Sequence, residues 1–156
     1  MSVERVRNYL RTWNLEERVK EFEVSSATVA LAAQAVGCEE ARIAKTMSFL
    51  VNGAPILILL AGDVKIDNRK YKDQFHTKAQ MIKPEHLVEL IGHPMGGVCP
   101  FDIHKGVTVY LDESLRRFDK VYPAAGSAAS AVELNLAELE LSSGAVGWVD
   151  VSKLNS

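Results

Sequence analysis

Cysteine is scarce in this chain, and its apolar runs are short. Cys38 and Cys99 are the only cysteines among 156 residues, and they stand too far apart for a C-x-x-C motif. The sequence therefore indicates neither a disulfide framework nor a thiolate metal site, and we expect reduced thiols. The longest apolar run, 54–61, is far shorter than the roughly 20 residues of a membrane-spanning helix, and the first ten residues are charged and amphipathic rather than signal-like. We expect a cytoplasmic protein without a membrane partner.

A strong net charge is also missing. The net charge of −2 argues against a protein that coats nucleic acid through a global positive field. The charges are nevertheless unevenly distributed, because 65–83 carries six basic and two acidic residues, whereas 133–150 carries four acidic residues and no lysine or arginine. Such runs usually form solvated faces, and a basic run is also suited to contact phosphates.

Apolar periodicity predicts one domain that mixes helices and strands. Asn52-Gly53 between two apolar strands predicts a hairpin, and Asn135 with Glu138 predicts a helix that begins with a capping box. The predicted helices are 3–13, 27–36, 68–75, 84–90 and 136–141, and the predicted strands are 19–24, 41–51, 55–60, 79–82, 107–111, 120–124, 131–134 and 146–151. The fold class is α+β, with a mixed, largely antiparallel sheet flanked by helices.

Lys45 stands out within the strand predicted over 41–51. Side chains alternate along a strand, so Lys45 shares a face with the apolar Ile43, Met47 and Phe49. A lysine on the core side of a strand is costly unless its ammonium group reaches water, a partner or a cleft. Two explanations stay open, because Lys45 either extends its ammonium group to water from a strand end or lines a pocket for an anionic ligand.

The run Gly96-Gly97-Val98-Cys99-Pro100 is a second candidate site. Two glycines permit backbone angles that side chains forbid, and Pro100 restricts the exit of the chain, so several N–H groups can point into one space. The loop is therefore either an ordinary turn or a site for an oxyanion or phosphate.

These features occur in a recognisable order. A helix of small residues precedes a strand with Lys45-Thr46, a Gly62-Asp63 turn precedes a lysine-rich helix, GGVCPF precedes a V-x-V strand, and Ala125-Gly126 follows. From about residue 25 to residue 151 the chain resembles the YbaK family, the aminoacyl-tRNA deacylases related to the editing domain of bacterial prolyl-tRNA synthetases. The resemblance implies a barrel-like mixed sheet and one editing domain over 1–156, with 1–24 as a family-variable N-terminal helix and strand.

The resemblance also implies a function. It is hydrolysis of the ester that joins a wrong amino acid to the 3′-terminal ribose of a tRNA, typically tRNA for proline carrying cysteine, alanine or a similar small amino acid. The implied partners are the tRNA 3′ end and prolyl-tRNA synthetase. From the residues themselves we expect no metal and no other cofactor. The implied catalytic residues are Lys45, Gly96 and Gly97, and the implied substrate-binding residues are Thr46, Val98, Cys99, Pro100 and Gly126.

Two positions depart from the family pattern. Asp102 stands where many relatives have glycine, and Cys99 stands where serine or threonine commonly precedes the loop proline. Cys99 with His93 or His104 offers an alternative cysteine nucleophile, which requires thiol–imidazole contact. Asp102 and His104 form too small a set for a metal site.

No Ser-His-Asp set is evident, and sequence proximity does not establish contact between Cys99 and a histidine, so we hypothesise that loop backbone groups and the free ribose hydroxyl of the substrate orient the attacking water. A competing function is a non-catalytic module that binds tRNA or a synthetase.

Overall fold

The computed structural model describes residues 2–155. Its helices and strands are, in chain order, α1 (Ser2–Leu10), β1 (Val19–Glu21), α2 (Val29–Val36), β2 (Ala44–Val51), β3 (Ala54–Ala61), β4 (Val64–Ile66), α3 (Asn68–Phe75), α4 (Leu87–Leu90), β5 (Thr108–Asp112), β6 (Lys120–Val121), β7 (Ser130–Val132), β8 (Leu134–Asn135), α5 (Leu136–Ser143), β9 (Gly147–Val149) and β10 (Ser152–Leu154). The predicted α+β single domain is confirmed.

The central sheet has four strands in the order β2-β3-β5-β9. β2 pairs antiparallel with β3, and β5 and β9 add in parallel. Asn52 and Gly53 close the predicted hairpin with φ values of 51° and 84°, the left-handed geometry of a tight two-residue turn. Strand β3 is central, and its residues 57–61 are fully buried, so both faces of the sheet are covered.

Three antiparallel pairs surround this sheet: β1 with β7, β4 with β10, and β6 with β8. The edge of β2 that does not pair with β3 contacts other segments of the chain through isolated β-bridges. Ile43, just before β2, bridges to Tyr122, and Phe49 bridges to Met81. The sheets formed by the described residues do not close into a barrel, so the barrel-like arrangement is not confirmed. The physical reason is that two- and three-residue strands cannot provide continuous pairing around a barrel.

Several predicted elements are shorter in the structure because tertiary contacts interrupt them. The strand predicted over 19–24 ends at Glu21, after which Phe22 N and Ser26 N donate to the carbonyl oxygens of Ala129 and Ala128. The predicted strand 79–82 is reduced to the bridge at Met81.

The starts of α2 and α5, unlike the strand lengths, are set by capping side chains close to them in sequence. Thr28 caps α2, and its side chain accepts a hydrogen bond from Leu31 N. The predicted capping box of α5 is confirmed, because Asn135 accepts from Glu138 N and the Glu138 side chain accepts from Asn135 N. Helix α1 places Val3, Val6 and Leu10 in the core. No helix within residues 2–155 has both the length and the hydropathy needed to cross a membrane.

Candidate active site

A cavity of about 560 Å³ lies between β2, the start of α2, the segment 81–87 and the glycine loop. Apolar side chains dominate its wall, and polar groups enter at a few points. The residues that line it are Ser26, Ala27, Thr28, Val29, Ala32, Ile43, Ala44, Lys45, Thr46, Met47, Ser48, Met81, Ile82, Lys83, Pro84, Leu87, Met95, Gly96, Val98, Tyr122, Ala124, Ser130 and Ala131. Its size lies within the range of small-molecule sites.

Strand β2 brings Lys45 to this cavity. The side chain is half-buried, and Nζ donates a hydrogen bond to the Val64 carbonyl oxygen on β4. Burial lowers the pKa of Lys45 below its ordinary value, and the nearby negative charge of Asp63 partly opposes this shift. Of the two explanations offered by the sequence, the structure therefore favours a lysine that lines a cavity and has a backbone partner.

Asp63 is held in place by Arg117. The two guanidinium nitrogens lie 2.6 Å and 3.0 Å from the carboxylate oxygens, and this pairing lowers the pKa of Asp63. A Cβ atom on the preceding Gly62 would lie only 2.0 Å from the Glu40 carbonyl oxygen. The Gly62-Asp63 turn thus sets an acidic group near Lys45 and needs glycine for close packing.

The structure explains why glycine is needed at both position 96 and position 97, and the reason differs between the two. Gly96 has a φ of 89°, which favours glycine, and it lines the cavity. Gly97 packs against the backbone of Gly126. A Cβ atom added at Gly97 would lie only 2.6 Å from the Gly126 carbonyl carbon, so this position has no room for a side chain. The Gly97 N–H donates to the Pro94 carbonyl oxygen at 3.0 Å and is therefore already used within the loop, whereas Gly96 and Val98 are the loop residues that line the cavity.

Cys99 is fully buried beside His93, outside the set of residues that line the cavity. The imidazole Nε2 lies 2.7 Å from the Phe101 carbonyl oxygen and 3.5 Å from the Cys99 sulfur. Since a carbonyl oxygen only accepts, Nε2 carries the hydrogen and cannot take a proton from the thiol. Burial raises the pKa of Cys99 to about 12 and lowers that of His93. This pair contradicts the alternative of a cysteine nucleophile.

Asp102 lies outside the cavity wall and is paired with Arg5 of α1. Its φ of 53° explains why glycine is suited to this position, and aspartate is among the few residues that tolerate this geometry. Arg5 Nε contacts the carboxylate at 2.8 Å, while its other nitrogens donate to the carbonyl oxygens of Asp102 and Gly92. The acidic charge is therefore compensated, and Arg5 joins both ends of the loop. Residues 2–155 contain no group of three or more potential metal ligands.

The structure brings together part of the predicted site. Lys45, Thr46, Gly96 and Val98 line the cavity, and the Thr46 hydroxyl is buried without a hydrogen-bond partner within residues 2–155. Gly97, Cys99, Pro100 and Gly126 are not among the lining residues. They belong to the layer behind the wall.

Several residues that line the cavity were not predicted from the sequence. Ser26 Oγ accepts from Ser130 N at 3.0 Å, which joins the segment before α2 to the first residue of β7. Met81 and Met95 lie at the cavity with 57% and 69% of their surface exposed. The only available signal was Ser26 beside a helix start, since methionine exposure is a tertiary property.

These observations define a class: a single-domain α+β protein with a largely apolar cavity, one wall of which carries a lysine and another a glycine loop. Residues 23–141 match the model of the aminoacyl-tRNA editing domain, and the chain belongs to this family.

The similarity to known proteins covers nearly the whole chain. The chain is 49% identical over 154 residues to the uncharacterized protein YwhH of Bacillus subtilis (strain 168). The aligned residues make up 98% of each of the two chains. A crystal structure of a proposed trans-editing enzyme for prolyl tRNA synthetase is 30% identical, with a TM-score of 0.88 and 97% of each chain covered. The hypothetical protein APE2540 is 28% identical, with a TM-score of 0.79 over 93% of this chain and 99% of the other.

Proposed function

We propose that this protein is an aminoacyl-tRNA deacylase that acts in trans in the cytoplasm and hydrolyses the ester of mischarged tRNA. The proposed substrate is tRNA for proline carrying cysteine, alanine or a similar small amino acid, and prolyl-tRNA synthetase is a proposed partner. The observation that carries the proposal is that Lys45 and the loop residues Gly96 and Val98 line one cavity.

The dimensions of the cavity support a small aminoacyl group. A volume of about 560 Å³ is in the middle of the range for small-molecule sites. In our proposal it receives the 3′-terminal adenosine together with the amino acid. The apolar wall formed by Ala27, Val29, Ala32 and their neighbours would exclude water from the ester except where polar groups enter.

Each polar group at the wall then has a distinct role. The Lys45 ammonium group donates to a phosphate or to the ester carbonyl, as a charged donor that is stronger than a neutral one. The N–H groups of Gly96 and Val98 stabilise the negative charge that develops on the carbonyl oxygen. The buried Thr46 hydroxyl gains the partner that it lacks within the described structure. Gly97, Cys99, Pro100 and Gly126 shape the loop from behind.

No side chain of the protein acts as a nucleophile in the proposed reaction. A water molecule, oriented by loop backbone groups and the free ribose hydroxyl, adds to the ester carbon and gives a tetrahedral intermediate. This intermediate collapses with cleavage of the bond to the ribose oxygen, which takes the proton that the attacking water gives up. The products are the free amino acid and the uncharged tRNA. A substrate without the neighbouring ribose hydroxyl should react far more slowly, and an unchanged rate would remove this step.

A deacylation assay on a panel of mischarged tRNAs tests the proposal. The wild type is compared with Lys45→Ala and with Lys20→Ala, a matched control at an exposed lysine on β1. We expect release of a small amino acid by the wild type and the control, with a loss of at least about 10²-fold in Lys45→Ala, because a preorganised charged donor is removed. If tRNA binds but none is hydrolysed faster than in buffer, the non-catalytic binding module is the correct function.

A further inference from the structure

The acidic run 133–150 and the basic run 65–83 differ in how many of their side chains find partners within the fold. Each acidic residue of 133–150 has a partner: Glu133 accepts from the Tyr122 hydroxyl, Glu138 from Arg18, Glu140 from the Trp148 indole, and Asp150 from Lys70. Three of these carboxylates also lie in ion pairs, Glu133 with Lys120, Glu138 with Arg18 and Asp150 with Lys70, so most of the negative run is paired within the fold.

The basic run is mostly unpaired. Lys70 is its one member in an ion pair among residues 2–155, whereas no carboxylate oxygen in that part of the chain lies within 4 Å of the charged nitrogens of Arg69, Lys72, Lys78 or Lys83. All four side chains are exposed. Asp73 is the acidic residue beside Arg69 and Lys72. The four cations thus form a positive surface on a protein whose overall charge is negative.

The fold also connects these cations to the cavity. Arg69 and Lys72 of α3 share a surface depression with Lys78. The following segment runs along the edge of β2, where Gln80 O accepts from Leu50 N and Ile82 N donates to Ser48 O. Lys83 then lines the cavity itself. Since an extended chain advances by at most about 3.5 Å per residue, Lys78 and Lys83 lie within about 18 Å of each other along this segment.

We propose that Arg69, Lys72, Lys78 and Lys83 form a basic surface that binds the phosphate backbone of the acceptor end of the tRNA whose 3′ terminus enters the cavity. The inference rests on the proposed function. A group of exposed, unpaired cations that extends from a surface depression to the cavity is suited to bind a continuous polyanion, because such cations neutralise phosphates without reading sequence. This arrangement gives affinity and orientation, while the cavity discriminates the amino acid.

The test uses the salt dependence of binding of uncharged tRNA. Lys72→Ala/Lys78→Ala is compared with the wild type and with Lys20→Ala/Lys105→Ala, which removes the same charge at two exposed lysines outside the cavity wall and the basic surface. Each cation that neutralises a phosphate contributes about 0.7–0.9 to the slope of log K against log salt. We expect the slope of the first variant to become less negative by about 1.4–1.8, and that of the control to match the wild type.

The outcomes separate this inference from the proposed function. Hydrolysis by the wild type with equal slopes in all three proteins overturns the basic surface alone. A reduced slope in Lys72→Ala/Lys78→Ala without any hydrolysis supports the surface and contradicts the deacylase. Equal loss of slope in the control variant also overturns the surface, because it shows a non-specific charge effect. Unchanged tRNA slopes, with loss of binding to anionic lipid vesicles in the first variant, assign the surface to membranes and overturn the inference.

Discussion

Gly97→Ala tests whether the glycine loop is built by contact with the loop around Gly126. The added Cβ would lie 2.6 Å from the Gly126 carbonyl carbon and 2.7 Å from both the Gly126 carbonyl oxygen and the Ser127 nitrogen. All three are backbone atoms, so no side chain can rotate away. Ser130 Oγ holds the opposing loop by accepting from Ala125 N and Ser127 N. One of the two loops must therefore move.

The expected cost is at the upper end of the range for overpacking, about 3 kcal/mol. For a domain of this size this corresponds to a fall in Tm of roughly 6–12 °C. Denaturant unfolding with a constant m-value measures it. The matched control is Gly147→Ala, where a Cβ meets nothing within 4 Å, and which we expect to change stability by less than about 1 kcal/mol.

The same substitution should affect deacylation beyond its effect on folding. Movement of the loop displaces the N–H groups of Gly96 and Val98, and a displacement of about 1 Å can lower a rate by about 10²-fold. The assay is run well below the Tm of the variant, so that the protein is folded. A free energy of unfolding within 0.5 kcal/mol of the wild type would refute the packing argument.

Two further predictions follow from the buried groups. Cys99→Ala should keep kcat/KM within about threefold of the wild type because the thiol is not a nucleophile, whereas loss of a nucleophile lowers the rate on the order of 10⁴-fold or more; single-turnover deacylation distinguishes the two results. For Lys45, burial lowers the pKa of the folded state, so between that value and the ordinary 10.5 the unfolded chain binds more protons. The free energy of unfolding of the wild type, relative to Lys45→Met, should therefore rise with pH in the window just below 10.5 and level off above it. A difference that is flat with pH across this window would contradict the burial of the ammonium group.

Elements encoded by neighbouring residues could be predicted from the sequence. The hairpin turn at Asn52-Gly53 needs only two residues that accept positive φ, and the capping box of α5 needs only Asn135 and Glu138. Helix α3 has its predicted bounds, because Asp67 caps it locally by accepting from Arg69 N and Lys70 N. Sheet closure is not local. The barrel-like arrangement is not confirmed, because the two- and three-residue strands outside the central sheet depend on partners far along the chain.

The candidate site shows the same division. Strand alternation identified Lys45 as unusual, and adjacent glycines with a proline identified the loop. The sequence alone also determined the family, since the order of these landmarks is a property of the chain. It could not decide which side of the loop faces a ligand, because that depends on Gly97 packing against Gly126 and on Cys99 turning toward His93.

The tertiary structure also decides which charged side chains are paired. In the sequence, Asp102 was a departure from the family pattern beside the glycine loop, and both charged runs were consistent with solvated faces. In the fold, Arg5 pairs with Asp102 across 97 residues, the acidic run finds partners, and the basic run is left largely free. Composition counts charges, whereas their neutralisation depends on distances of a few ångströms between residues that are remote in sequence. The sequence by itself therefore determined the family, the local elements and the identity of Lys45 and the loop; only the tertiary structure decided which of their groups line the cavity and which charges remain for a partner.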